Sequence, residues 1–174
     1  MSTRGVVALA QGDDWVGVYN HSDSYPTGLG RAVWAHLQSE GVAKVQEKML
    51  QFDDWRAYLA GGLCEYCGEK RFTQADDAHI HDKDVEHYTS KDECQLVIEW
   101  VYVLSEQALT VLYSTRVATL HPGQVGEHVE AWGYRDQDGE MVNFPEGYYV
   151  HEVAGTFPLN GPEPVWDEIK KVAA

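Results

Sequence analysis

Gln95-Leu96-Val97-Ile98-Glu99-Trp100-Val101-Tyr102-Val103-Leu104, followed past Ser105-Glu106-Gln107 by Leu109-Thr110-Val111-Leu112-Tyr113-Ser114-Thr115-Arg116, decides the fold class. Both runs are dense in β-branched and aromatic residues, which favour a pleated, half-buried backbone, and the short polar break between them has hairpin length. Working upstream, residues 3–9 and 15–19 flank Gln11-Gly12-Asp13-Asp14, a Gly/Asp turn between two further β-prone runs. Downstream, Glu127–Tyr134 and Glu140–Phe144 flank Asp136-Gln137-Asp138-Gly139, and Tyr148–Val153 continues the β character.

Helical spacing appears only between the first two hairpins and at the C-terminal end. Leu29, Val33 and Leu37 recur every four residues with Trp34 alongside, and Gly41 stands where a helix would be capped. Val42, Val45, Met49 and Phe52 repeat the pattern, and Asp54–Leu59 adds a turn or two before Gly61-Gly62. Pro158, Pro162 and Pro164 mark a loop before a short helix expected from about Val165 to Val172. The expected class is therefore α+β: an N-terminal β-hairpin, two or three helices, a mainly antiparallel sheet of further hairpins, and a short C-terminal helix.

With 174 residues and 44% apolar side chains, the chain can bury one sizeable core, so a single domain over 1–174 is expected. Its exception is an irregular acidic insert at about 61–94, which carries Asp76, Asp77, Asp82, Asp84, Glu86, Asp92 and Glu93 with few aliphatic residues. No run approaches the ~18 consecutive apolar residues of a membrane span, and the N-terminus lacks a secretory pattern, so a soluble cytoplasmic protein is expected. The net charge of −15 repels a phosphate backbone and disfavours direct nucleic-acid binding. An acidic surface could instead imitate nucleic acid in another protein's basic groove, although such surfaces mainly confer solubility.

The densest polar motif is Tyr19-Asn20-His21-Ser22-Asp23-Ser24-Tyr25-Pro26-Thr27-Gly28-Leu29-Gly30, at the joint between a strand and a helix. If the strand continues, alternation places Tyr19, His21 and Asp23 on one face, where a His and a carboxylate could converge for acid–base work. Pro26 pushes Tyr25 towards an extended conformation, while Gly28 and Gly30 permit close approach of a ligand to backbone amides that favour an anion. Arg4, beside the first strand, completes this binding set of Arg4, Tyr19, His21, Asp23, Tyr25, Gly28 and Gly30. The same residues also fit ordinary turn and capping chemistry, with the His satisfying a backbone carbonyl. No nucleophile accompanies His21 and Asp23, so they remain candidates without a firm catalytic set.

Thr3-Arg4-Gly5 and the Asn-His-x-Asp-Ser-Tyr-Pro-x-Gly-Leu-Gly segment resemble a family of small, functionally unassigned proteins of bacteriophages and prophages. The resemblance is strong over roughly the first 40 residues and weaker at Glu99–Val103. It implies a viral origin and brings no catalytic residues. The cysteine-bearing insert lies outside its pattern.

Three cysteines without a secretory signal argue against a disulfide framework. Cys64-Glu65-Tyr66-Cys67-Gly68 has the shape of half a zinc knuckle, and His79 and His81 complete a tetrahedral set, with His87 or Cys94 as alternates. Such a zinc would be structural, supplying folding free energy that a charged insert cannot draw from a core. The cysteines also read as small buried turn residues.

The function expected from these features is that of a phage-type cytoplasmic accessory protein, more binding module than enzyme, engaging a host or phage protein or a small ligand. Two alternatives stand beside it. One is an N-terminal-nucleophile-like hydrolase using Ser2 or Thr3, which requires loss of Met1. The other is an acidic nucleic-acid-mimic inhibitor.

Overall fold

The β-rich run forms an antiparallel pair, β4 (Trp100–Leu104) and β5 (Ala108–Val117), in register from Trp100↔Tyr113 to Leu104↔Leu109. Ser105 closes the turn: its hydroxyl accepts from the Ala108 amide at 3.0 Å and donates to the Ala108 carbonyl at 3.1 Å. This is a computed structural model, and it describes residues 3–52, 54–61, 87–89, 98–130, 133–135, 137–143 and 146–169.

The N-terminal hairpin of β1 (Gly5–Gln11) and β2 (Asp14–Asn20) turns at Gly12, whose φ of 63° suits glycine. It docks onto the central pair with β1 parallel to β4, from Gly5↔Trp100 to Leu9↔Leu104. A short β3 (Tyr88–Thr89) extends this side, while β9 (Gly147–Pro158) and β6 (Glu127–Val129) extend the other. The result is a mostly antiparallel seven-stranded sheet of order β3-β2-β1-β4-β5-β9-β6. β7 (Gly133–Arg135) and β8 (Met141–Asn143) form a separate hairpin, so the β signal at Glu127–Tyr134 divides between two sheets.

Three helices follow the N-terminal hairpin: α1 (Arg31–Glu40), α2 (Val42–Lys48) and α3 (Trp55–Leu59). A wide helical turn over Pro26–Gly30 leads into α1, which ends at Gly41 with φ 82°. One sheet face packs Val7, Val18, Tyr102 and Val111 against Leu29, Val33, Trp34, Val45, Met49 and Trp55. The opposite face carries a second cluster of Val6, Ala8, Trp15, Ile98 and Val101. The central strands are thus buried on both sides, which is why Trp100–Leu104 reads as a continuous apolar run rather than an alternating one. No helix among the described residues is long and apolar enough to cross a membrane.

The sheet curls. Trp15 on β2 and His151 on β9 are separated by β1, β4 and β5, yet their rings meet edge to face with centroids 6.2 Å apart. Towards the C-terminus, the helical signal yields a single turn at Trp166–Glu168 within the described residues. Trp166 is buried against Trp34 and Phe157, anchoring this segment to the helical layer. Of the expected insert, Cys64, Cys67, His79, His81 and Cys94 lie outside the described residues.

His151 donates its Nε2 proton to the Ile98 carbonyl at 2.7 Å, while its Nδ1 is buried without a partner among the described residues. Burial pushes its pKa down to about 4, outweighing the carbonyl bond that favours the charged ring. The contribution of neutral His151 is therefore intact above its ordinary value and lost as pH falls from about 6.5 towards about 4. Urea unfolding across this window is expected to show up to about 3 kcal/mol more acid destabilisation in the parent chain than in His151→Gln.

Candidate functional site

The strand-to-helix motif splits between the two sides of the sheet. β2 ends at Asn20, and from there the even-numbered residues Asn20 and Ser24 turn inward, only 3% and 0% exposed, the two buried polar side chains among the described residues. Asn20 Nδ2 donates to the Ser22 carbonyl at 2.6 Å and to Ser24 Oγ at 2.8 Å; Ser24 Oγ donates back to the Asn20 carbonyl at 3.2 Å. The Ser24 amide donates to the Thr3 carbonyl at 3.2 Å, tying the loop to the start of β1.

Beneath this ring, the Tyr102 hydroxyl donates to the Ser24 carbonyl at 2.6 Å. Burial raises the Tyr102 pKa strongly, although the Gly30 amide works in the other direction, so the phenol remains a neutral donor. Burying so many polar groups is tolerable because each meets a partner.

The glycines serve this packing. A Cβ on Gly28 would stand 2.3 Å from the Asp23 carbonyl oxygen, and one on Gly30 would stand 2.8 Å from Tyr102 and 2.9 Å from Trp166. Amides of the turn are also engaged: Gly28 donates to the Tyr25 carbonyl at 2.9 Å, Leu29 to the Asp23 carbonyl at 2.9 Å, and Gly30 to the Tyr102 hydroxyl. Gly28 and Gly30 therefore belong to the structural joint, and the turn closes on itself rather than presenting amides to a ligand.

The remaining residues of the motif lie outside. His21, Asp23 and Tyr25 are exposed, and Tyr19 is half-buried. His21 and Asp23 do not face each other as a pair. His21 Nδ1 and the Tyr19 hydroxyl are hydrogen-bonded at 3.2 Å, whereas Tyr25 donates to the Asp23 carboxylate at 3.4 Å. The cause is local: Asp23 adopts φ 55°, the one positive φ outside glycine among the described residues, which ends the alternation.

Several contributors carried no sequence signal. Tyr88 of β3 stacks on Tyr19 with ring centroids 5.5 Å apart. Arg56 of α3 donates through Nη2 to Ser22 Oγ, and Asp54 caps α3 by accepting from the Arg56 and Ala57 amides at 2.8 and 3.1 Å. Only Asp54 before a short apolar pattern could have been found from the sequence, as a capping residue. Arg4, at the head of β1, accepts through its carbonyl from the Glu99 and Trp100 amides at 3.1 and 3.4 Å, which fixes its backbone beside β4. Continuing the β1–β2 register by one residue from Gly5↔Asn20 places Arg4 opposite His21.

Among the described residues, no group of three or more His, Cys, Asp or Glu side chains is placed to hold a metal ion. His87, the alternate ligand that is described, donates Nε2–H to the Phe52 carbonyl at 2.9 Å. Comparisons with protein-family models, curated proteins and solved structures found no match to this chain.

Tyr102→Phe removes the donor to the Ser24 carbonyl and leaves that buried oxygen without it. The expected loss is about 1–3 kcal/mol of unfolding free energy, measured by urea titration. Gly30→Ala, which drives a methyl into two rigid rings, is expected to cost about the same.

Proposed function

We propose that this chain is a cytoplasmic, non-catalytic binding protein, of the phage accessory type that its N-terminal motif resembles, engaging a host or phage protein or a small ligand through the His21–Tyr25 surface. The observation carrying this reading is the division of that loop. Its inner residues form a fully bonded polar lock, while its outer residues present an imidazole, a carboxylate and a phenol on a backbone held in an uncommon conformation. A strained conformation maintained by its surroundings, with polar groups held outward, is what preorganised recognition requires.

The test is His21→Ala with Asp23→Ala, assayed by affinity capture of partners from host extract and by thermal unfolding. Loss of a specifically captured partner with an unchanged Tm supports the assignment. Undiminished capture by the double variant overturns it.

A structural zinc on Cys64 and Cys67, completed by His79 and His81 or by His87 or Cys94, is part of the same proposal. His87 supports it: with Nε2–H given to a backbone carbonyl, its Nδ1 carries the lone pair, the arrangement that orients many zinc-bound histidines. Metal analysis of the purified chain is expected to give one zinc per molecule, reduced in Cys64→Ser/Cys67→Ser. Metal-free protein with unaltered stability would remove zinc from the reading.

A further inference from the structure

The arginines of the described residues differ in one respect. Arg31 pairs with Asp167 at 3.7 Å, Arg56 donates to Ser22, Arg116 to the Glu146 carbonyl at 2.6 Å and Arg135 to the Gly139 carbonyl at 2.8 Å. Arg4 has no side-chain hydrogen bond or ion pair among the described residues, and its Nε is shielded from solvent. A guanidinium N–H buried without an acceptor is costly, since its lost hydration is uncompensated. Among the described residues Arg4 forms no ion pair, even with Glu99, which precedes β4 and whose amide donates to the Arg4 carbonyl, although the chain carries 28 acidic residues.

The surroundings of Arg4 are arranged as well as charged. By register, Arg4, Val6, Tyr19 and His21 share the sheet face that carries the second apolar cluster, and Tyr88 stacks on Tyr19 at its edge. Tyr19 holds His21 both by the 3.2 Å hydrogen bond and by an edge-to-face contact with centroids 5.9 Å apart. Asp54, an acid brought to this corner by its bridge to Tyr19, is committed to capping α3, and the Asp23 carboxylate is turned to Tyr25. A guanidinium with a buried, unpartnered N–H, set by register on the same sheet face as an imidazole and a phenol, is donor chemistry for an oxyanion.

We infer that the Arg4–Tyr19–His21 corner binds the carboxylate or phosphate group of a small ligand, with Arg4 as the charged anchor and Tyr19 and His21 as orienting groups. This deepens the binding function proposed above by naming the ligand's chemistry, and it rests on that reading. The amides of Gly28 and Gly30 take no part.

The experiment is a titration of the full chain with inorganic phosphate and, separately, acetate, followed by amide chemical shifts, with chloride at matched ionic strength as control. Saturable shifts confined to residues 3–6 and 19–22 are expected, with phosphate and acetate distinguishing the two anion classes. Arg4→Met is expected to weaken binding about tenfold or more while keeping the fold, and Arg4→Lys to recover part of the loss. Absence of saturable shifts with either anion, or equal affinity in Arg4→Met, overturns the inference. If anion binding fails while His21→Ala/Asp23→Ala still abolishes partner capture, this inference is lost and the binding surface stands. If capture is unaffected by the double variant and Arg4 still binds anions, the reverse holds.

Discussion

The hydrogen bond from the Tyr102 hydroxyl to the Ser24 carbonyl is the constraint on which the helical layer depends. Tyr102 lies on the central strand β4, buried on all sides, and its hydroxyl meets the loop at the point where β2 gives way to the helical turn. A phenol in that position cannot be hydrated, so the loop must supply an acceptor at a fixed place. Ser24 is held there by Asn20 and Thr3, and Gly30 fits against the edge of the same ring. The direction in which α1 leaves the sheet follows from these contacts, and the burial of Val33, Trp34 and Leu37 follows from that direction.

One short segment thereby divides its side chains between the interior and the surface. The side chains of Asn20 and Ser24 are spent on the joint, whereas Asp23 and Tyr25 serve it through their carbonyls and, like His21, expose their side chains. Arg56 reaches across from α3 to Ser22 and braces the loop from a third direction. An exposed loop braced on several sides loses little conformational entropy when something binds to it, the property expected of a recognition surface.

Much of the architecture was legible because hairpin turns and helical spacing are local signals. The β4–β5 pair, the N-terminal hairpin and α1 follow directly from Ser105–Gln107, Gly12 and the Leu29–Val33–Leu37 series. The parallel docking of β1 on β4 was not legible, because strand direction leaves no trace in side-chain alternation. At the candidate site, extending the strand to Asp23 would set His21 beside Asp23, whereas the fold sets His21 against Tyr19 and Asp23 against Tyr25. A single left-handed residue changes which side chains share a face, and an aspartate gives little warning of it. Tyr102 stands in the β-rich run that decides the fold class; only the fold shows that its hydroxyl reaches the loop. Tyr88 and Arg56 enter through contacts 69 and 34 residues distant in sequence, beyond any local pattern.

The parallel pairing of β1 with β4 also governs the order in which this chain can acquire structure. Gly5 meets Trp100, so the first hairpin cannot complete its sheet until the chain beyond position 100 is available. Closing so long a loop costs entropy before any contact rewards it, and non-local pairings of this kind slow folding. On the ribosome, β1 emerges well before β4, with its inner edge unpaired and Val6, Val7 and Ala8 uncovered. That interval leaves the nascent hairpin as an open edge able to recruit a strand from another chain. The N-terminal hairpin is therefore left uncovered on its inner edge until β4 is available to pair with it.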